Sequence, residues 1–282
     1  MLGVEPVCSG ISSPEQDNEL TNLSNPMHSV RPKVSIITPT LNREAMLPAI
    51  HQCVLGQTVT DWEWIVVDDS PQPCAFLAAQ TDPRIRYPHV GQGMTVGDKR
   101  NLANRCALAD TVAHIDDDDY YSPGYLDYML GTLDESGADM AKLSAFFIYG
   151  PVYQKFAYCD LLEKTGVHFI WSDQPVQMVQ MGAGESIFQD NHLGYGFSYV
   201  YRKKVWQANP FAAVSFNEDT PFLKQSMAQG FQLELRADSA GLCVHFLHNT
   251  NTSVCFPQYV IPFALVQSLF PHLPNLAASH HD

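Results

Sequence analysis

Apolar runs that read as strands alternate with a helical pattern over the first 120 residues, and acidic residues stand where two of those strands end. Val34-Ser-Ile-Ile-Thr38 is a β-branched run closed by Pro39, Leu47 to Leu55 has helical apolar spacing, and Trp62-Glu-Trp-Ile-Val-Val67 is a second run. Together they predict a β-α-β unit. A third short strand is expected at Ile85-Arg86-Tyr87. A helix is expected over Lys99 to Ala109, with Leu102, Cys106 and Ala109 at i, i+4 and i+7, and a fourth strand at Thr111 to Ile115. This alternation implies an α/β fold with a doubly wound, mainly parallel sheet, whose ligands bind beyond the carboxyl ends of the strands. Asp68-Asp69 ends the second strand and Asp116-Asp117-Asp118-Asp119 the fourth, so two acidic clusters are expected to face one crevice.

Farther on, Met140 to Tyr149 reads as a strand, residues 151–192 give no clear pattern, and Phe197 to Tyr201 reads as a strand. Asp219 to Gln229 is expected to be a helix ending at Gly230, with another apolar run at Cys243-Val-His-Phe246. The segment Phe256 to Phe270 is apolar, contains Pro257 and Pro262, and is expected to pack on the core as a helix or to form an oligomer contact. Residues 1–30 are rich in Ser, Asn, Pro and Glu without periodicity and read as a flexible tail.

Charge narrows the partners. Thirty acidic residues against 16 basic ones give a net charge of −14, and no basic cluster exceeds Lys99-Arg100 or Arg202-Lys203-Lys204. Nucleic acid is therefore not an expected partner, since phosphate neutralisation needs a basic footprint. No run reaches the ~18 apolar residues of a spanning helix. The first residues lack a basic region followed by a long apolar one, so a cytoplasmic location is expected. Seven cysteines without a C-x-x-C pair point to neither a disulfide framework nor a thiolate zinc site.

Four consecutive aspartates launched from an apolar strand repel one another unless something positive binds them. Carboxylate oxygens with positions to spare for phosphate suit Mg²⁺ or Mn²⁺. A calcium EF-hand is excluded, because no Gly stands six places into the loop and no Glu at its twelfth position.

Four segments in order, Val34-Ser-Ile-Ile-Thr-Pro-Thr-Leu-Asn-Arg43, Trp64-Ile-Val-Val-Asp-Asp-Ser70, Gly97-Asp-Lys-Arg-Asn-Leu-Ala103 and His114-Ile-Asp-Asp-Asp-Asp-Tyr-Tyr-Ser-Pro123, resemble the motifs of family 2 glycosyltransferases with the GT-A fold. Gly196 to Trp206 and Asn217-Glu-Asp-Thr-Pro-Phe-Leu223 are similar to that family's acceptor-side strand and Glu-Asp motif, so the resemblance runs over roughly residues 33–255. It implies a GT-A domain over residues 31–255, with a nucleotide-sugar-binding half (31–123) and an acceptor-binding, catalytic half (124–255), followed by a helical extension or tail (256–282).

The implied reaction is an inverting sugar transfer from a nucleoside-diphosphate sugar, with UDP as the expected carrier, to a glycan or other hydroxyl acceptor. In this resemblance Asp69 matches the acid that hydrogen-bonds the base, and Thr38, Pro39, Thr40, Asn42 and Arg43 lie along the nucleotide. Lys99 and Arg100 match a basic pair near the diphosphate and ribose, with Asp116 or Asp117 the acid near the ribose. Asp118 matches the metal-binding acid, with Asp116 and His248 as further ligands of Mn²⁺ or Mg²⁺. His248 belongs to His245-Phe-Leu-His-Asn-Thr-Asn-Thr-Ser253, which resembles a late segment of the family. Asp219 matches the catalytic base, and Glu218 is its neighbour in the motif.

Two other functions are weighed. A sugar nucleotidyltransferase also uses acids on Mg²⁺, but its Gly-rich basic phosphate loop has no counterpart in Pro39-Thr-Leu-Asn-Arg43. A non-catalytic glycan- or nucleotide-binding protein would not need both Asp118 and Asp219. Tyr153, Phe156, Tyr158 and Trp171 are candidates either for stacking on acceptor sugars or for the core. The apolar C-terminal segment suits a peripheral membrane or homo-oligomer contact.

Overall fold

The computed structural model describes residues 31–172, 175–182, 190–247 and 254–273. In chain order these form β1 (Val34–Thr40), α1 (Leu47–Leu55), β2 (Trp62–Asp68), α2 (Ala75–Ala78), β3 (Ile85–Arg86), α3 (Val96–Cys106) and β4 (Thr111–His114). There follow β5 (Tyr120–Tyr121), α4 (Tyr125–Ser136), β6 (Met140–Gly150), β7 (Lys155–Asp160), β8 (Gly166–Ile170) and β9 (Gln177–Met181). After two short 3₁₀ turns come β10 (Val200–Arg202), α5 (Lys203–Ala208), α6 (Asp219–Ala228), β11 (Leu233–Ala237), β12 (Cys243–Phe246), β13 (Tyr259–Ile261) and α7 (Phe263–Leu269).

The main sheet runs β13-β7-β6-β10-β4-β1-β2-β3. It is parallel from β4 through β1 and β2 to β3, and turns antiparallel where β10 joins β4. The doubly wound half expected from the sequence is therefore present, and the second half is mixed. β6 is long enough to take β10 and β11 along its first half and β7 and β12 along its second. β8 and β9 pair only with each other, and this hairpin accounts for much of the stretch that gave no clear pattern.

Alternation along buried strands feeds two cores. Ile36, Trp64 and Val66 face one core with Leu126, Met129 and Phe146, while Ile37, Ile65 and Val67 face another with Leu102, Tyr201 and Phe222. Burial on both faces is why β1 and β2 read as continuous apolar runs. A third cluster joins Tyr120 and Phe147 to Val266 and Phe270, so the C-terminal helix packs on the sheet.

Two boundaries differ from the expectation. α3 starts three residues before Lys99, because Thr95 caps it by accepting from the Asp98 amide while the Asp98 carboxylate reaches back to Thr95. It also stops at Cys106 rather than Ala109. The next amides leave the helical ladder, Leu108 N–H donating to Glu63 Oε1 (2.5 Å) and Ala109 N–H to Ser35 Oγ (3.0 Å). Residues 197–201 divide into a 3₁₀ turn, Gly196–Ser198, and the start of β10.

Candidate active site

The four aspartates after β4 alternate in direction. Asp117 accepts from Thr40 Oγ1 at 2.5 Å, and Asp119 accepts from the Phe246 amide at 2.9 Å, so both side chains turn inward. Asp116 and Asp118 keep partly exposed carboxylates, 26% and 14% accessible. Burial is the main cause that raises Asp116 to about 7, with the Arg100 guanidinium opposing it. Burial and the neighbouring Asp118 raise Asp117 to about 8.

Beside this strand end lies a cavity of about 240 Å³, walled by Thr40, Asn42, Arg43, Asp68, Ser70 and their neighbours. Asn42 has a left-handed backbone (φ +55°), and its amide donates to Ser70 Oγ at 2.7 Å, which ties the ends of β1 and β2 together. Asp68 is held by Ser70 and by the Tyr87 hydroxyl. The nucleotide residues matched in the sequence separate here into two groups. Thr40, Asn42 and Arg43 wall the cavity, whereas Thr38, Asp69, Lys99 and Asp117 are buried side chains that shape the strand end from within. Thr38 donates to the Ile115 carbonyl (2.6 Å) and accepts from the Trp64 indole (2.8 Å). Asp69 is paired with Lys99 at 2.6 Å, and the same ammonium donates to the Thr40 carbonyl at 2.8 Å. Pro39 is half-buried within β1.

A larger crevice of about 580 Å³ is lined by Asp116, Arg100, Glu218 and Asp219 among others. Arg100, almost fully buried, bonds Glu218 Oε1 at 2.7 Å and stands 3.4 Å from Asp116 Oδ1. Glu218 is thereby engaged. Asp219, the first residue of α6, is half-buried and accepts from the Gly196 amide at 3.0 Å and from the Thr220 amide at 2.7 Å. Gly196 is required for this close packing, since a Cβ there would fall 2.7 Å from Arg100 Nη1 and 3.2 Å from Asp219 Cβ.

Two features were not read from the sequence, the partner that His245 finds and the burial of Lys142. His245 Nδ1 meets Asp119 at 2.9 and 3.0 Å, and its ring stacks on Phe197 at 4.9 Å. Burial opposes a charged ring, but the Asp119 carboxylate outweighs it and holds His245 well above the usual histidine range. The Cys255 thiol lies close to the same ring, and His245 lines the large crevice. Lys142, in β6, is fully buried, donates to the His192 carbonyl at 2.7 Å and is brought down to about 7 by burial, with Asp219 opposing. His248 lies outside the described residues. Of the four aromatic candidates Phe156 and Trp171 are buried in the core, while Tyr158, packed on Phe147, and Tyr153, packed on Trp171 and bonded to the Ser172 carbonyl, are half-buried.

The donor chemistry of the acidic loop fits a hard divalent cation in part. Asp116 and Asp118 supply carboxylate oxygens, and the pKa elevation from burial and crowding is what a bound cation would relieve. Among the described residues no three His, Cys, Asp or Glu side chains gather as a complete metal group, so water or phosphate oxygens would have to fill the remaining positions. A third hollow, about 460 Å³, lies away from this chemistry, and its charges pair within it, Arg202 with Asp134 and Lys204 with Asp139, each at 2.6 Å.

Two substitutions test these environments. Asp69→Ala leaves the Lys99 ammonium buried without its partner, and urea unfolding is expected to show a loss of about 3–5 kcal/mol. A loss under about 1 kcal/mol would contradict the buried pair. For Lys142, whose folded pKa is depressed, the unfolded chain binds more protons above pH 7, so this group makes stability rise with pH. Between pH 7 and 8.5 Lys142→Met is expected to remove a slope of up to ~1.4 kcal/mol per pH unit relative to the unsubstituted protein. Parallel pH profiles for the two proteins would contradict it.

Comparison with known proteins places these features in a family. The model of Glycosyl transferase family 2 matches residues 35–171. Over 103 residues the chain is 35% identical to the putative colanic acid biosynthesis glycosyl transferase WcaA of Escherichia coli K12, covering 35% of this chain and 37% of that one. Over 150 residues it is 28% identical to the E. coli UDP-Glc:α-D-GlcNAc-diphosphoundecaprenol β-1,3-glucosyltransferase WfgD, covering 48% and 56%. These matches thus span only about a third to a half of each relative. The crystal structure of S. aureus TarS 1–349 in complex with UDP-GlcNAc superposes with a TM-score of 0.58 at 18% identity, over 78% of this chain and 60% of that one. Residues 35–171 thus match glycosyl transferase family 2, and the fold is GT-A.

Proposed function

We propose that this protein transfers a sugar from a nucleoside-diphosphate donor, most simply a UDP-sugar, to a hydroxyl of a glycan or glycoconjugate, with inversion at the anomeric carbon. The observation that carries this reading is the meeting of two elements in one crevice: the half-buried carboxylate of Asp219 and the acidic end of β4, linked through Arg100. The roles for which WcaA and WfgD are named support polysaccharide or lipid-linked acceptors as the class.

In the proposed reaction the acceptor oxygen attacks the anomeric carbon from the face opposite the diphosphate. Its proton passes to Asp219, and the bond from the anomeric carbon to the phosphate oxygen breaks with its electron pair leaving on the nucleotide. One carboxylate suffices for a single displacement. Glu218 is assigned to holding Arg100, because its Oε1 is already engaged. Thr40, Asn42, Arg43 and Asp68 form the wall along which the nucleoside lies, and Asp69 with Lys99 stiffens that wall. Asp118 and Asp116 are the residues assigned to a divalent cation, which when bound would offset charge on the leaving diphosphate. Among the described residues no helix is long and apolar enough to cross a membrane. A peripheral contact through α7 is supported by the exposure of Phe263 and Leu265 beside the buried Val266.

The assignment of the base is tested by UDP release from a panel of UDP-hexoses. Asp219→Asn is expected to lower turnover about 10²–10⁴-fold while UDP affinity stays the same, because an amide of nearly the same shape cannot take the proton. Glu218→Gln is expected to be milder in turnover and to lower stability through the lost partner of Arg100. Near-normal turnover in Asp219→Asn would overturn the assignment, and a non-catalytic binding protein would release no UDP in any form.

A further inference from the structure

The segment that leads into α6 is fixed at both ends. Gly97 N–H donates to the Val214 carbonyl at 3.1 Å, and a Cβ at position 97 would fall 1.8 Å from the Ala212 carbonyl oxygen, so residues 212–214 lie flat on the start of α3. At the other end Asn217, in a left-handed conformation (φ +58°), turns the chain so that Glu218 meets Arg100. Between these anchors Phe216 stands 64% exposed and lines the large crevice, three residues before Asp219.

A single exposed apolar side chain is ordinary on a protein surface. This one is set apart by its place. It belongs to the wall of the crevice that holds Asp219, and its backbone is held by packing and by a turn rather than by a long loop. Val254, 40% exposed, lines the same crevice, as do the polar residues Asp190, Asn191 and Thr220. The combination of an apolar ring and nearby carboxylate, amide and hydroxyl groups matches the two surfaces of a pyranose, which has C–H groups on a face and hydroxyls around its rim. The nucleoside is assigned to the separate cavity walled by Thr40, Asn42, Arg43 and Asp68, so it does not compete for this ring. None of the four aromatic residues singled out in the sequence is among the residues that line this crevice.

We propose that Phe216 is the stacking platform for a pyranose ring of the acceptor, holding it while one of its hydroxyls faces Asp219. The proposal rests on the transferase reading and names its acceptor-side recognition. Phe216 would then act on acceptor affinity and not on the donor.

The test uses the full chain saturated with UDP and Mn²⁺, with methyl β-glucopyranoside, methyl β-galactopyranoside and methyl β-N-acetylglucosaminide as probes in saturation-transfer NMR. Saturation is expected to concentrate on the protons of one ring face for at least one probe. Phe216→Ala is expected to weaken that probe roughly 2- to 10-fold and erase the face contrast, whereas Phe216→Trp retains both. UDP affinity, measured in the same samples, is expected to stay constant across the three proteins. Equal probe binding by Phe216→Ala, uniform saturation around the ring, or UDP binding without binding of any probe would overturn the platform. Failure of the unsubstituted protein to bind UDP would instead overturn the transferase reading beneath it.

Discussion

The buried guanidinium of Arg100 is the interaction on which the site depends. It sits in α3, yet it bonds Glu218 at the start of α6 and approaches Asp116 at the end of β4, joining three elements far apart in sequence. Burial alone would disfavour its charge, and Glu218 and Asp116 more than offset that cost. Its planar fork suits two acids at once, which a lysine ammonium would not. Gly196 completes the arrangement by leaving the space that the guanidinium and Asp219 occupy. Removing either acid would leave the charge underpaired, so the geometry around Asp219 and the geometry of the acidic loop stand or fall together.

The acidic loop resolves its own repulsion by direction. Asp117 and Asp119 turn inward to Thr40 and to His245 with the Phe246 amide, and only Asp116 and Asp118 keep exposed oxygen. Four like charges thus become two buried structural acceptors and two outward carboxylates. Asp119 also fixes His245, which lines the large crevice. These inward contacts explain why a run of aspartates can end a fully buried strand without unfolding it.

Much of this was legible in the sequence because the signals are local. β1, β2 and β4 announce themselves as apolar runs, acids follow at the carboxyl ends of β2 and β4, and Glu218-Asp219 stands at the start of a helical pattern. What was not legible depends on partners distant in the chain. The pairing of Asp119 with His245 follows from the register of β5 with β12, where Tyr121 faces Cys243 and Tyr120 faces Val244, so that one step further sets residue 119 opposite 245. Lys99 and Asp69 look like ligand-facing charges until β1, β2 and α3 close around them. Lys142 looks like an ordinary interruption of an apolar strand until both of its faces are covered. The early start of α3 had a local signal in Thr95 and Asp98, but charge at Lys99 and Arg100 drew the boundary inward.

Calorimetric titration of UDP, first with Mn²⁺ and then with EDTA, tests most directly whether the paired walls of β1 and β2 and the outward acids of β4 form one nucleotide-diphosphate site. Saturable one-to-one binding with Mn²⁺ that weakens by at least about tenfold in EDTA, or roughly 1.4 kcal/mol, is the result expected. Equal affinity in the two conditions would remove the cation from the account, and no heat of binding in either would contradict a nucleotide site at these strand ends.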